Sequence, residues 1–297
     1  MKKYFLLVAL ATLCSFVSLT NAFAQEPVGL LDLVGDSTTE VEYVKNAFKS
    51  TRIINSQSIE MLGAGSLDFR VLHRFGPVNS GAGNLFGLDE ASTRFSFDFA
   101  PTNDLLVGIG RSSRGQKEFD GFIKYDLLQQ SQGLRTVPLT VVLVAGMTLS
   151  STTYSDPTVT NFFTSRMSFF QQILLGRKFS DDISLQLSPT LIHQNLVTYA
   201  SDPHNIIALG VGGRVKITNR VSFTIDWTHP FNSVQSSIKH NDPLAIGFDI
   251  ETGGHVFQVH FSNSVGLNER TEITETTDNW LKGGIRLGFN LSRVFQL

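Results

Sequence analysis

The sequence has 297 residues, of which 24 are Lys or Arg and 26 are Asp or Glu, so its formal net charge at pH 7 is −2. This mild and mixed charge, without a basic block, excludes the electrostatic pattern of a nucleic-acid-binding protein. The single cysteine, Cys14, excludes a disulfide framework and a thiolate metal site.

The first 24 residues have the pattern of a cleaved secretory signal. Lys2 and Lys3 precede an apolar stretch over residues 4–17, and small residues follow up to Ala24. We therefore predict cleavage after Ala24. Lipidation at Cys14 is the weaker alternative, because a bulky leucine precedes it and the apolar stretch would be cut short.

Residues 25–65 form a predicted N-terminal arm. Val41, Val44, Ala47 and Phe48 fall at helical spacing, which predicts a short helix. Two interpretations remain open at this point: the arm lines or partly plugs a barrel lumen, or it rests at the periplasmic rim.

From residue 66 onward, apolar and polar residues alternate. The longest apolar stretch, residues 141–147, is far shorter than the roughly 20 residues of a membrane-spanning helix. Phe95, Phe97 and Phe99 instead alternate with polar residues, which is the period of a β-strand. Twelve runs of this kind can be recognised, near residues 67–74, 94–99, 105–111, 119–128, 139–149, 163–177, 183–188, 206–217, 221–228, 244–250, 256–262 and 285–292.

The connections between these runs are alternately short and long. Tight turns are predicted at 101–104, 179–182, 217–220 and 251–254, and long loops at 75–91, 150–162, 229–242 and 265–280. Outer-membrane barrels combine short periplasmic turns with long external loops. The sequence therefore predicts an all-β fold, a transmembrane antiparallel up-and-down β-barrel of about 12 strands over residues 66–297. Two connections fit less well, since 129–137 is long for a periplasmic turn and 112–116 is short for an external loop.

A soluble β-sandwich or barrel also alternates, with its apolar face inward. The aromatic residues favour the membrane, because they fall at the predicted external strand ends, where an interfacial belt belongs: Tyr154, Phe162, Phe163, Trp227, Phe231 and Trp280. The chain also ends on an apolar strand, through Phe295 and Leu297, which resembles the terminal signal read by barrel-assembly machinery. We predict a location in the cell outer membrane, with membrane lipid and that machinery as partners.

Several segments resemble a Bacteroidota family of outer-membrane β-barrels known as a domain of unknown function. The resemblance spans about residue 48 to the C-terminus and implies a single barrel domain; it implies no site residue. Its segments are Thr51-Arg52-Ile53-Ile54-Asn55, His73-Arg74-Phe75-Gly76, Phe86-Gly87-Leu88-Asp89, Gly108-Ile109-Gly110-Arg111-Ser112-Ser113 and, most extensively, residues 247–258.

Charged and polar residues on the polar parity of the strands are the candidate site, because charges inside a membrane must face one another or water. We predict a narrow channel or binding barrel for small solutes. The alternative is a barrel whose lumen is closed by salt bridges and whose external loops dock partners. The lumen-lining candidates are Arg70, Arg94, Asp98, Lys124, Arg166, Arg214, Asp226, Asp249, Glu251, Gln258, His260 and Arg286.

Enzymatic chemistry has one weak signal. The run His260-Phe261-Ser262-Asn263 resembles that of outer-membrane phospholipase A, in which histidine activates serine as a nucleophile. Strand parity turns His260 and Ser262 toward the lumen, whereas a phospholipase needs them toward lipid. His255 and His260, five residues apart, lie on opposite strand faces and cannot share a metal. We therefore predict no catalytic residue, no metal site and no cofactor.

Overall fold

The computed structural model describes residues 40–113, 115, 117–152, 160, 162–197, 200–232 and 239–297. The predicted signal sequence, the first part of the predicted arm and parts of several predicted loops lie outside the described residues. Tyr154 is among these.

Twelve antiparallel strands close into a barrel, which confirms the predicted fold class. Each strand pairs with the next barrel strand along the chain, and the last pairs with the first. The barrel strands are β2 (Ser66–Pro77), β3 (Ala91–Thr102), β4 (Leu105–Ser112), β5 (Phe119–Leu128), β7 (Thr140–Leu149), β8 (Met167–Lys178), β9 (Ile183–Gln194), β10 (Asn205–Lys216), β11 (Val221–Pro230), β12 (Leu244–Thr252), β13 (His255–Ser262) and β14 (Arg286–Gln296). Two short strands, β1 (Val41–Tyr43) and β6 (Ser131–Gly133), form a separate pair.

The barrel carries its apolar side chains outside and its charged side chains inside. On β3, Phe95 and Phe97 are about half exposed, whereas Arg94 and Asp98 are fully buried. Leu, Ile, Val and Phe side chains are exposed on most other strands in the same way. An apolar exterior of this kind is stable against lipid and not against water. Phe162, Phe163 and Phe231 are exposed near the strand ends where the aromatic belt was predicted.

The two ends of the barrel differ in their connections. Both β2 and β14 have their terminal ends on the side with the tight turns, which is the periplasmic side of an outer-membrane barrel. The connection at residues 129–139 also lies on this side, and it is long because it contains β6, which pairs with β1. The helix predicted through Val41 and Phe48 is wrong: residues 41–43 are extended because they hydrogen-bond with β6, and residues 44–50 are not helical.

The inner face of the barrel is not uniformly polar. An apolar patch extends across the strands from β4 to β10. It explains why the sequence of β7 is apolar at both its inward-facing and its outward-facing positions. Val142 and Val144 point inward on β7, while Leu143 between them is exposed. The buried members of this patch are Leu106, Phe122, Val142, Val144, Phe170, Leu174, Ile192, Ile206 and Ala208.

The connection between β13 and β14 folds back into the barrel. It contains the helix α1 (Glu269–Glu275), whose Asn268 N-cap accepts a hydrogen bond from the Thr271 amide at 2.9 Å in a capping box. Most of residues 263–274 are buried. The prediction of 265–280 as an external loop is therefore wrong for its buried part, because its acidic side chains find cationic partners inside the lumen. No helix among the described residues has the length and apolar composition needed to cross a membrane.

Candidate functional site

A hairpin of the N-terminal segment occupies the lumen. The amide of Ile53 donates to the carbonyl oxygen of Ser56 at 2.9 Å, and the amide of Ser58 donates to the carbonyl oxygen of Thr51 at 3.0 Å. Residues 51–58 therefore form a tight antiparallel hairpin, here called the lumen hairpin. All eight of its residues are buried.

Asp226 of β11 holds the tip of the lumen hairpin. Its Oδ2 atom accepts hydrogen bonds from the backbone amides of Ile54, Asn55 and Ser56 at 3.3, 2.8 and 2.9 Å. Its Oδ1 atom accepts a fourth from the Ser56 hydroxyl at 2.7 Å. Hydrogen bonds to an ionised acceptor are about twice as strong as neutral ones. One buried carboxylate thus satisfies the tip's amide donors.

The facing strands satisfy the tip's acceptors. Gln258 and Asn290 donate to the carbonyl oxygens of residues 53 and 54 at 2.5 and 2.8 Å. Arg74 donates to the side-chain oxygen of Asn55 at 2.6 Å and to that of Asn290 at 2.9 Å. The wall around the tip therefore offers an anionic acceptor on one side and amide and guanidinium donors on the other.

Cationic side chains hold the base of the segment. Lys124 donates to the carbonyl oxygens of residues 51 and 60 at 3.4 and 2.7 Å. Arg70 donates to the Thr51 hydroxyl at 2.6 Å, and Arg214 donates to the carbonyl oxygen of residue 47 at 2.9 Å. The carbonyl oxygens of residues 47 and 60, which lie outside the barrel sheet, thus accept hydrogen bonds from buried cations.

Apolar side chains of the segment pack against the apolar patch of the barrel. Ile53 and Ile59 belong to the same buried cluster as the inward residues of β4 to β10. Glycines on the wall make room for them. A Cβ atom at Gly212 would lie 2.1 Å from Ile53 Cδ1, and one at Gly176 would lie 2.5 Å from Ile59 Cδ1. Both isoleucines therefore sit in notches that only glycine provides.

The lumen hairpin meets α1 in the middle of the barrel. The Arg52 guanidinium lies 2.9 Å from the Glu269 carboxylate, and both side chains are almost fully buried. Gln57 donates to the same carboxylate at 2.9 Å. Because the hairpin enters from the periplasmic end and α1 from the other end, this contact joins two segments that approach from opposite sides.

Further charged contacts hold α1. Arg270 pairs with Glu118, beside the start of β5, and with Glu275 at 2.8 Å. Glu272 lies close to Asp226 and Glu269, and its burial together with these two negative charges raises its pKa well above the usual 4.5. The helix is thus held in the lumen by ion pairs, whereas the ionised form of the Glu272 carboxyl group destabilises its docked position.

The candidate residues predicted from strand parity fall into three groups. Arg166 lies in a short turn (Thr164–Arg166) before β8, over the Phe163 ring, so its predicted place on a strand is wrong. Glu251 lies at the periplasmic end and pairs with Lys49 at 2.5 Å, with its side chain half exposed. The remaining ten are buried inward-facing side chains: Arg70, Arg94, Asp98, Lys124, Arg214, Asp226, Asp249, Gln258, His260 and Arg286.

Some of these buried side chains form ion pairs with the wall or with the β13–β14 connection and not with the lumen hairpin. Arg94 pairs with Asp120 at 2.5 Å, and Arg286 pairs with Asp278 at 2.6 Å. Arg74 and Asn290, by contrast, contact the tip but are missing from the predicted set. Both share the inward parity of their strands, which is the signal that could have found them.

The lumen position of His260 and Ser262 bears on the hydrolase alternative. Among the described residues, no hydrogen bond joins the His260 ring to Ser262. The Ser262 hydroxyl instead accepts from the Ser264 amide at 3.0 Å and from Asn55 at 3.5 Å. The serine therefore helps to hold the hairpin and is not activated by the histidine in this arrangement.

Residues 48–295 match the family model described as membrane bound beta barrel domain, DUF5777. The chain belongs to this family. The match confirms the resemblance to a barrel family of unknown function, while the Bacteroidota origin stays a prediction. No curated protein sequence matches the chain.

Two solved structures share the DUF5777 chain's fold. The NanC porin is 11% identical and aligns over 78% of this chain and 100% of its own, with a TM-score of 0.50. An outer membrane channel from Pseudomonas putida F1 is 14% identical and aligns over 80% of this chain and 98% of its own, with a TM-score of 0.51. These likenesses show the fold alone. Together with the family match, they confirm an outer-membrane β-barrel.

Proposed function

We propose that this DUF5777 barrel is a gated outer-membrane channel for small solutes, closed in the described state by the lumen hairpin and α1. The observation that carries the proposal is the way the hairpin is held. Asp226, Gln258, Asn290 and Arg74 bind its tip through polar contacts, which water or a solute can replace.

The proposal extends to the parts of the chain whose role follows from sequence only. Residues 1–24 act as the cleaved signal, residues 25–65 supply the plug, and barrel-assembly machinery inserts residues 66–297. The plug interpretation of the arm is supported by the burial of residues 47, 48 and 50–59 against inward-facing side chains. The charged wall, including Arg70, Asp226 and Asp249, would set solute selectivity once the hairpin moves.

A lumen-closed docking barrel is the second candidate. The buried ion pair between Arg52 and Glu269 favours it, because the pair joins the lumen hairpin to α1 and stabilises the closed state. In this alternative the hairpin is a permanent core, and the external loops carry the function.

The experiment compares planar-bilayer conductance of the wild-type protein with a variant in which residues 50–59 are replaced by a Gly/Ser linker. Heat-modifiable migration on gels checks that both barrels are folded. The gated channel predicts a small or intermittent current for wild type and a large steady current for the variant. A folded variant without current would overturn the channel and favour the docking barrel.

A further inference from the structure

The lumen hairpin can be regarded as a peptide bound by the barrel wall. Its contacts therefore describe what the wall recognises. We infer that the wall around Asp226 is a binding subsite for short peptides that carry an apolar side chain, and that the lumen hairpin occupies this subsite as an internal competitor. The inference rests on the proposed function, because the subsite becomes free only when the hairpin moves.

The donor side of a peptide is recognised by Asp226. Its carboxylate accepts from three consecutive backbone amides, those of residues 54–56. Three neighbouring N–H groups converging on one anionic oxygen are a property of polypeptide backbone in a tight turn. An inorganic anion would be repelled by this carboxylate, and a hydrocarbon would leave it unpaired.

The acceptor side is recognised on β13, β14 and β2. Gln258 and Asn290 donate to two consecutive backbone carbonyl oxygens, and Arg74 donates to the amide oxygen of Asn55. All three side chains are almost fully buried. They are fixed in place by one another, since Asn290 donates to Gln258 at 2.8 Å and accepts from Arg74 at 2.9 Å. The donors are therefore positioned before any peptide arrives.

An apolar notch completes the subsite. Gly212 lacks the Cβ atom that would collide with Ile53, so the wall has a recess fitted to one branched aliphatic side chain. The recess opens onto the apolar patch of the barrel. A peptide with Ile, Leu or Val at this place would bury that side chain, whereas one with an acidic side chain would bury an unpaired charge.

Room for exchange exists at the foot of the hairpin. A cavity of about 690 Å³ lies at the periplasmic end between the N-terminal segment, the turn that joins β3 to β4, and the end of β5. Its lining includes Glu60, Met61, Asp104, Asp126 and Arg135. The segment that returns from the hairpin to β2 forms one wall of this cavity, so the hairpin can withdraw toward it while a peptide takes the tip position.

The test uses the full-length chain with Asn55→Ala and Ser56→Ala, which weakens the hairpin and leaves the wall intact. The probe is the blocked tetrapeptide acetyl-Ile-Ile-Asn-Ser-amide, the sequence of the hairpin tip. We expect calorimetric binding and block of the ionic current. Adding Asp226→Asn should weaken binding about tenfold or more, since charged hydrogen bonds are lost. Asp182→Asn, at an exposed periplasmic turn, is the matched control and should leave binding unchanged.

A tetrapeptide methylated on its backbone nitrogens keeps the side chains but loses the donors, and it should neither bind nor block. Current without binding or block by the unmodified peptide would overturn the inference and leave the gated channel standing. Binding without current would support the subsite and overturn the channel. If the double variant shows neither, the variant with residues 50–59 replaced exposes the wall, and absence of peptide binding there overturns the inference.

Discussion

The guanidinium of Arg52 lies 2.9 Å from the carboxylate of Glu269, inside a membrane barrel and out of contact with water. Arg52 belongs to a segment that enters from the periplasmic end, and Glu269 belongs to a helix that enters from the opposite end. Two parts of the chain that are more than 200 residues apart thus close the lumen together. The closed state depends on this pair because both charges are almost fully buried and each needs its partner for compensation.

Removal of one member of this pair should destabilise the closed state. Arg52→Met leaves the Glu269 carboxylate buried without its cationic partner, a situation that costs about 3–5 kcal/mol in proteins. The double variant with Glu269→Gln should recover part of the loss, with a coupling energy of about 1–3 kcal/mol. Urea unfolding in detergent micelles measures both. Asp181→Asn, which breaks an exposed pair with Lys178, is the control and should change little; equal losses in both pairs would contradict the role of the central pair.

Asp226→Asn should open the channel. The substitution preserves shape but replaces the charged acceptor of four hydrogen bonds, which weakens hairpin docking by about 2–3 kcal/mol. The open fraction should rise by one to two orders of magnitude, on the scale that such an energy implies. Single-channel recording measures it, together with protease cleavage within residues 51–58. An unchanged open fraction would mean that Asp226 does not hold the gate.

Gly212→Ala should displace the hairpin by a steric route. The new Cβ atom would lie 2.1 Å from Ile53 Cδ1, so one of the two must move. Shortening the opposing side chain with Ile53→Ala should restore closure. Gly210→Ala, two residues away on the same inward face, meets its nearest neighbour only at 3.2 Å and serves as control. Equal conductance of the Gly212→Ala and Gly210→Ala variants would contradict the role of the Gly212 notch in holding the hairpin.

The closed state should be most favourable at acid pH. Burial and the neighbouring charges of Asp226 and Glu269 raise the pKa of Glu272 in the docked helix above the 4.5 that it has in water. An acid with a raised pKa retains its proton in the docked state, so docking weakens as pH rises from 4.5 to that raised pKa and changes no further above it. The open fraction should therefore grow as the pH rises above 4.5 and should grow less in Glu272→Gln. A steeper dependence in the variant would contradict this assignment.

Neither the wild-type protein nor the Ser262→Ala variant should hydrolyse phospholipid. The serine faces the lumen and bonds with Ser264 and Asn55, so it cannot reach lipid. Release of fatty acid from labelled phospholipid vesicles measures this directly. Hydrolysis by wild type that disappears in Ser262→Ala would establish the enzyme instead.

The barrel itself was accessible from the sequence because strand alternation is local. The alternation of the residues around Arg94 and Phe95 is enough to place these two side chains on opposite faces of the strand. The tight Asn- and Asp-containing turns mark one end of the barrel. What fills the barrel was accessible only in part, since the sequence left open whether the arm plugs the lumen and did not predict its hairpin. Val41 and Phe48 have helical spacing, yet residues 41–43 are extended because of β6, ninety residues away in the chain.

The folding-in of α1 was likewise hidden, since an acidic segment such as residues 269–275 is typical of an exposed loop. Its burial depends on ion pairs with distant residues, since Arg52 of the N-terminal segment pairs with Glu269 and Glu118 pairs with Arg270. Hints existed in the capping pattern at Asn268 and in the apolar inner positions of β7. The candidate site residues followed from parity, but their shared partner, the lumen hairpin, did not.

The most direct test of the gated lumen is a reversible cross-link between the hairpin and the wall. The only native cysteine is Cys14, so Ile53→Cys with Gly212→Cys introduces one defined pair after the predicted signal. In the Asp226→Asn background, we predict a conducting channel under reducing conditions that closes when the disulfide forms and reopens on reduction. Conductance that is the same in the oxidised and reduced protein would contradict closure of the lumen by residues 51–58.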